Sequence, residues 1–188
     1  NFGVSPASAE TYYVDYVDLI ANVSPPPPAK AAIALPITWD DTANVNYNTI
    51  DFGGNNSSLA ADPSNASNLV LQAIKGAGAQ TWAGSSFGDS LATAIPFATG
   101  TTTIRAVVWS ATSGTPVLLK VEDQTNSAIS SEILANTVTA GGWDTLSFNL
   151  SAGTPALNFT NTYNKMSMFF NFGVSPASAE TYYVDYVD

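Results

Sequence analysis

The chain has 188 residues, a formal net charge of −10 and only five Lys or Arg residues. Nucleic acids and anionic membranes bind clustered cationic side chains, so this composition argues against both as partners. The sequence contains neither histidine nor cysteine, which excludes imidazole catalysis, thiolate metal sites and disulfide bonds.

Charged residues make up 11% of the chain, against about 25% in an average soluble protein. Thr, Ser, Asn, Ala and Gly fill the surface positions instead, a profile that predicts an extracellular or cell-surface protein. Hydrophobic residues make up 45% of the chain, which is enough for one substantial core. No apolar run reaches the roughly 18 residues that a membrane-spanning helix needs, so we expect no membrane insertion.

The first 18 residues, NFGVSPASAETYYVDYVD, recur unchanged as residues 171–188. Identity at a fixed spacing, here 170 residues, indicates a tandem array. We interpret residues 1–18 as the last hairpin of a preceding identical repeat and residues 31–188 as one complete module. Residues 19–30 form a Pro-rich linker whose four consecutive prolines favour an extended polyproline II segment.

Several short segments are rich in β-branched or aromatic residues and are bounded by Gly, Asn, Pro or Ser clusters, a pattern typical of strands. In chain order they are residues 33–41, 68–75, 102–110, 116–123, 144–150, 165–173 and 181–188. Residues 130–135 fit a helical turn and a strand equally well. The sequence therefore predicts an all-β protein, an antiparallel β-sandwich with almost no helix.

Alternation along these strands assigns one face of each to the core, because successive side chains point to opposite sides of a sheet. The predicted core residues are Ile104, Ala106, Val108, Val117, Leu119, Val121, Leu146, Phe148, Leu150, Met166, Met168, Phe170 and Phe172. The opposite faces are left polar and aromatic.

Sugar rings pack their C–H faces on aromatic rings, and their hydroxyls need converging donors and acceptors. The candidate glycan-binding residues are Arg105 and Trp109 on one strand, Lys120 and Glu122 on the next, and Gln80 and Trp82 in a loop. If the two strands are neighbours, the first four share a sheet face and the loop pair lies at its rim. In the alternative, the two cations pair with Glu122 across strands and Trp109 covers them. We assign Trp39 and Trp143 to structural roles.

Catalysis by carboxylates is the remaining enzymatic possibility. Glycoside hydrolysis needs two carboxyl groups roughly 5 to 9.5 Å apart across one cleft. The adjacent pairs Asp40/Asp41 and Glu122/Asp123 lie on predicted strands, which direct neighbouring side chains to opposite faces. We therefore predict that the module is not an enzyme.

The order of five segments resembles a known family. They are PITWDD (36–41), NLVLQAIKGAGAQTWAG (68–84), VWSATSGTPVLLKVEDQTN (108–126), GGWDTLSFNLS (141–151) and MFFNFGVSPASAETYYVDYVD (168–188). Together they resemble the jelly-roll carbohydrate-binding modules of polysaccharide-degrading enzymes and surface proteins of marine bacteria. The resemblance covers nearly all of residues 31–188 and departs at Tyr186, where relatives commonly carry a second aspartate. It implies a jelly-roll fold and a glycan-binding ancestry.

The same resemblance implies a structural calcium ion between the opening and closing strands. Calcium takes six to eight oxygen ligands, and the candidates here are Asp40, Asp41 and Asp185. The alternative is that these carboxylates are solvated edge charges that deter unwanted strand pairing.

Two functions follow from these observations. The first is a non-catalytic repeat module of a long extracellular fibre or surface adhesin, with identical neighbouring repeats and a polysaccharide as partners. The second is a carbohydrate-binding module appended to a secreted polysaccharide-degrading enzyme. The unchanged repeated segment favours the first.

Overall fold

The computed structural model describes residue 11, residues 13–15 and residues 26–188. The strands in this part are β1 (Thr49–Phe52), β2 (Asn55–Asp62), β3 (Asn65–Lys75), β4 (Gly84–Phe87), β5 (Thr103–Ser110), β6 (Pro116–Asp123), β7 (Asn126–Asn136), β8 (Gly142–Asn149), β9 (Lys165–Phe170) and β10 (Glu180–Val187). One short 3-10 helix, Leu150–Ala152, follows β8.

The strands form two five-stranded sheets. Sheet 1 has the order β1-β4-β9-β6-β7, and sheet 2 has the order β2-β3-β10-β5-β8. Every pairing between strands is antiparallel. The inner faces of the two sheets enclose one apolar cluster, so the prediction of an all-β antiparallel sandwich is confirmed.

The predicted core residues on β5, β6, β8 and β9 are all buried, as is Leu150. Phe172 is the exception, because it is only half-buried. Asn171 has a φ of 45°, in the left-handed region, which interrupts the alternation that the sequence pattern assumes. Phe172 consequently lies edge-on to Phe169, with ring centroids 5.9 Å apart, rather than in the core.

The strand predicted at residues 33–41 is wrong. The segment makes only one isolated bridge to the sheet, in which Ile37 and Val187 exchange backbone hydrogen bonds of 2.8 and 3.1 Å. Pro36 lacks a backbone donor and Trp39 has a φ of 65°, so an extended ladder cannot run through both. The side chains of Ile33, Ile37 and Trp39 are nevertheless buried in the core.

Of the four strands β1, β2, β4 and β7, the sequence patterns missed the first three and left residues 130–135 of β7 open between a strand and a helical turn. Three of these are edge strands, whose polar or mixed sequences lack the apolar alternation of central strands. Residues 130–135 belong to β7, so they form a strand and not a helical turn.

The outer edge of β7 is covered by the chain that follows the 3-10 helix. Glu132 and Thr154 exchange backbone hydrogen bonds of 3.1 and 2.9 Å. A Cβ atom on Gly153 would lie 2.4 Å from the Ser131 hydroxyl, so this close approach depends on glycine.

Residues 171–188 form a connection followed by β10, because β9 and β10 lie in different sheets. The prediction that the repeated segment is a hairpin is therefore wrong for this copy. The copy at residues 1–18 lies outside the described residues, except for residues 11 and 13–15. Residues 26–30 of the predicted linker are exposed and have no regular secondary structure. In the described part of the chain, no helix is long and apolar enough to span a bilayer.

Candidate functional site

An aromatic cluster, consisting of Phe52, Trp82, Phe169 and Phe172, lies on the outer face of sheet 1. The Trp82 ring stacks on Phe52 at 6.2 Å with an interplanar angle of 21°, and the rings of Phe52 and Phe169 are 5.3 Å apart. Half of the Trp82 surface (50%) remains exposed. The other two ring pairs are inclined, at 58° and 88°, so the accessible aromatic surface is the Trp82 ring, with Phe52 stacked against it.

Gly84 allows these rings to meet. It pairs with Phe52 and, by the register of β4 with β9, lies opposite Phe169. A Cβ atom here would lie 3.1 Å from the Phe169 ring and 2.5 Å from the Met168 carbonyl oxygen. Any side chain at this position would displace the strand or the ring.

The loop that carries Gln80 and Trp82 is fixed from two sides by backbone hydrogen bonds. The amides of Gly76 and Gln80 donate to the carbonyls of residues 54 and 53 at 3.0 and 2.7 Å. On the other side, the Gly78 amide donates to the Pro176 carbonyl at 2.7 Å, and the Gly173 amide donates to the Thr81 carbonyl at 2.9 Å. Trp82 is thus presented by an ordered loop.

A buried lysine ties the same loop to β9. The Lys75 side chain is fully buried, and its Nζ donates to the carbonyls of Asn171, Phe170 and Thr81 at 2.9, 3.1 and 3.4 Å. Burial lowers the pKa of Lys75, and the negative charge of Glu180 partly counters that effect. Lys75 follows Leu71 and Ala73 at the inward-facing positions of β3, which is the sequence signal that marks it as buried.

Glu180 fixes the turn that follows β9. Its Oε2 accepts hydrogen bonds from the Tyr182 hydroxyl at 2.6 Å and from the Asn171 amide at 2.9 Å. The Tyr182 ring stacks on Phe170 at 5.1 Å. Burial raises the pKa of Tyr182 well above its ordinary value, and the hydrogen bond and charge of Glu180 raise it further.

Lys120 and Glu122 lie on the same outer face of sheet 1 as the aromatic cluster. Their side chains form an ion pair of 2.9 Å along β6, so the predicted pairing of a lysine with Glu122 occurs within one strand and not across two. Beside Lys120, the hydroxyls of Ser167 and Ser86 share a hydrogen bond of 2.7 Å. Both serines are buried, so the accessible face combines rings at one end with the ion pair of Lys120 and Glu122 at its centre.

Arg105 and Trp109 do not belong to this face, because β5 lies in sheet 2 and β6 in sheet 1. The condition for a single six-residue site, that these two strands are neighbours, is not met. Arg105 pairs instead with Asp188, at 2.7 Å. The chain between the strands crosses from one sheet to the other, which local sequence patterns do not distinguish from a hairpin.

On the outer face of sheet 2, Trp109 pairs with Tyr183 and Trp143 in register, and its ring meets Tyr183 edge-on at 5.5 Å. The Trp143 indole nitrogen donates to Asp62 at 3.3 Å and to Ser64 at 3.1 Å. Because β2 and β8 are opposite edges of sheet 2, the turn after β2 must fold over this face to reach Trp143.

Asp62 fixes that turn, as the sequence Asp-Pro-Ser-Asn suggests. Its Oδ1 accepts hydrogen bonds from the amide and hydroxyl of Ser64, both at 2.7 Å. Burial acts to raise the pKa of Asp62, but the donors from Ser64, Asn68 and Trp143 together outweigh it and leave the pKa below its ordinary value.

The three predicted calcium ligands accept hydrogen bonds from different donors. Asp40 accepts from the Leu69 amide at 3.4 Å, Asp41 from Asn44 at 2.8 Å and Asp185 from Asn68 at 2.8 Å. Over residues 26–188, no three acidic side chains converge into a group that could hold a metal ion. Calcium binding by these three carboxylates stays a prediction.

No family model matches the sequence, and no curated protein matches it. Solved structures do match the fold. The family 11 carbohydrate-binding module of a cellulosomal cellulase from Clostridium thermocellum has a TM-score of 0.52 and 13% identity, with 83% of this chain and 94% of that module covered. A family 11 module from the same organism, in complex with a β-1,3-1,4-mixed-linked tetrasaccharide, has a TM-score of 0.50 and 13% identity, with 84% and 95% covered.

An exo-β-agarase matches with a TM-score of 0.56 and 10% identity over 81% of this chain, which spans only 24% of the agarase. At these identities the likeness concerns the fold. The chain therefore shares its β-sandwich with carbohydrate-binding modules, as the sequence resemblance implies.

Proposed function

We propose that this chain is a non-catalytic module that binds an extended polysaccharide across the outer face of sheet 1. The observation that carries the proposal is the half-exposed Trp82 ring, supported by Phe52 and held by an ordered loop. Aromatic rings of this kind stack on the C–H faces of sugars. The family 11 module of similar fold, which was solved with a tetrasaccharide, supports a glycan as the ligand.

Beside the aromatic cluster, the face carries an ion pair that can bind sugar hydroxyls. Lys120 and Glu122 lie on β6, between β9 and β7, and their side chains remain 25% and 12% exposed. Five strands span about 19 Å at roughly 4.8 Å per strand spacing. A face of that width suits a chain of several sugar units better than a single sugar.

The adjacent carboxyl groups of Glu122 and Asp123 are not arranged for hydrolysis. Glu122 is paired with Lys120 on the outer face. The neighbouring Asp123 accepts hydrogen bonds from Thr125 at 2.8 and 2.7 Å in the turn that follows. The two adjacent carboxyl groups therefore do not face each other across a cleft, as a glycosidase pair must.

For the larger protein, we propose an extracellular or cell-surface array of such modules, in which repetition increases avidity for a polysaccharide. The unchanged repeat of residues 1–18 supports this setting. The alternative is a module appended to a secreted polysaccharide-degrading enzyme, which the likeness to part of an exo-β-agarase favours.

The test is binding of the chain to mixed-linkage β-glucan and agarose, measured by affinity electrophoresis and calorimetry. We expect the wild type to bind one of them and Trp82→Ala to lose at least about tenfold in affinity, or roughly 1.4 kcal/mol. Trp109→Ala is the matched control, because it removes the same ring from the opposite sheet.

If Trp109→Ala loses the affinity and Trp82→Ala keeps it, the binding site lies on sheet 2 and the proposal for sheet 1 is wrong. Failure of the wild type to bind either polysaccharide would contradict the proposed ligand class.

A further inference from the structure

An apolar cavity of about 240 Å³ lies at the end of the sandwich where β10 stops. Its apolar lining consists of Leu35, Pro36, Ile95, Pro96, Phe97 and Ile104. It is smaller than the roughly 300 Å³ at which pockets for drug-sized ligands begin. Its size and lining suit one or two aliphatic side chains better than a small-molecule ligand.

Beside this cavity, the pairing of β10 with β5 ends at Asp188 and Arg105. Asp188 and Arg105 still exchange backbone hydrogen bonds, of 2.8 and 2.9 Å. In an antiparallel ladder, the next residue after Asp188 lies opposite Ile104 and the one after that opposite Thr103. Just before β5, the backbone of Thr101 is already paired with Ala98. Two further residues can therefore be added to β10.

Alternation gives the direction of the first added side chain. Val187 is buried in the core, and Asp188 points outward to its ion pair with Arg105. A residue after Asp188 would again point inward, beside Ile104 and into the cavity. This position therefore calls for an aliphatic residue.

The first copy of the repeated segment supplies the identity of that residue. Asp18, the equivalent of Asp188, is followed by Leu19 and Ile20. We propose that the cavity is the docking site for this Leu-Ile dipeptide wherever the repeat continues, with leucine in the cavity and isoleucine beside Thr103. Each module then includes the first two residues of the segment that the sequence assigns to the linker.

This inference rests on the tandem array proposed above, but not on glycan binding. Its consequence is a tighter junction: the chain leaves the sandwich two residues later and is held by the sheet up to that point. The spacing between modules is then set by residues 21–30 alone.

The experiment extends the chain after Asp188 with Leu-Ile-Ala-Asn, as residues 19–22 read, and with Ser-Ser-Ala-Asn as the matched control. The extension with leucine and isoleucine should raise Tm by about 4 to 8 °C, because it buries aliphatic surface in a domain of this size. The control should change Tm by less than about 1 °C, since it fills no cavity. Hydrogen exchange at the Thr103 amide should slow only in the first protein.

Equal Tm values for the two extensions, or fast exchange at Thr103 in both, would overturn the proposal. The same comparison in chains that carry Leu19→Ser and Ile20→Ser removes the upstream copy as a competitor. The gain in Tm should persist there, and its disappearance would also overturn the proposal. Stability and exchange are the readouts, so the outcome is independent of whether the module binds a polysaccharide.

Discussion

Replacing Lys75 with methionine tests whether the buried ammonium group organises the loop of Trp82. Methionine keeps most of the length and volume of lysine, so the change removes the charge without leaving a large cavity. Two carbonyl acceptors, at 2.9 and 3.1 Å, lose a charged donor, and a third at 3.4 Å loses a weaker contact. Each lost hydrogen bond costs about 1.5 to 3 kcal/mol. The variant no longer has to bury a charge, and this gain offsets part of the total loss.

We therefore expect Lys75→Met to lower the free energy of unfolding by about 3 kcal/mol, or Tm by about 6 to 12 °C. Urea unfolding followed by tryptophan fluorescence measures the first quantity, and amide hydrogen exchange over residues 76–83 should accelerate. Lys30→Met is the control at an exposed lysine and should stay within about 0.5 kcal/mol of the wild type. A Lys75→Met protein as stable as the wild type, with unchanged exchange in the loop, would refute this reasoning.

Three further outcomes are expected. Because the pKa of Tyr182 is raised, the folded state keeps a proton above about pH 10 that the unfolded state releases, so stability falls there. Tyr182→Phe should reduce that fall, as measured by urea midpoints between about pH 8 and 11, and an equal fall would contradict the assignment. Because the pKa of Asp62 is lowered, its stabilising effect is present above its ordinary pKa and is lost as pH falls. Asp62→Ala should lower the free energy of unfolding by about 2 kcal/mol at pH 7, and the difference from the wild type should narrow below about pH 4. A difference that does not change with pH would mean that Asp62 stabilises the fold by packing alone. Gly84→Ala should lower the free energy of unfolding by about 1 to 3 kcal/mol and weaken polysaccharide binding, because its Cβ would lie 2.5 Å from the Met168 carbonyl oxygen. A variant as stable as the wild type would contradict this close approach.

The central strands could be predicted from sequence because their two faces differ in polarity. β5 and β6 alternate apolar and polar residues and were located to within a residue of their observed bounds. β2 could not be located in this way, and β7 only in part, because both consist mostly of small and polar residues without strong alternation, whereas the edge strand β8 alternates clearly. The strand predicted before β1, at residues 33–41, is wrong for the opposite reason. The segment is apolar, but Pro36 and Trp39 prevent a regular ladder.

The candidate site could be predicted only in part. Trp82, Lys120 and Glu122 were identified by residue type, and they lie on one side of the sandwich. The separation of Trp109 from them depends on which sheet each strand joins, a long-range property that spacing along the chain does not encode. Phe52 was missed because it belongs to a four-residue strand, too short for a pattern to be recognised.

The covered edge of β7 has a consequence for a protein built from identical copies. Covalent linkage keeps equivalent strands of neighbouring copies at high local concentration, a condition that favours exchange of strands during folding. A bare 11-residue edge would offer its backbone groups to the same strand of the next copy. The bridge from Thr154 to Glu132 occupies the middle of that edge with the chain's own backbone. In the proposed array, the segment after the 3-10 helix thus protects each copy from its neighbours while the protein is being made.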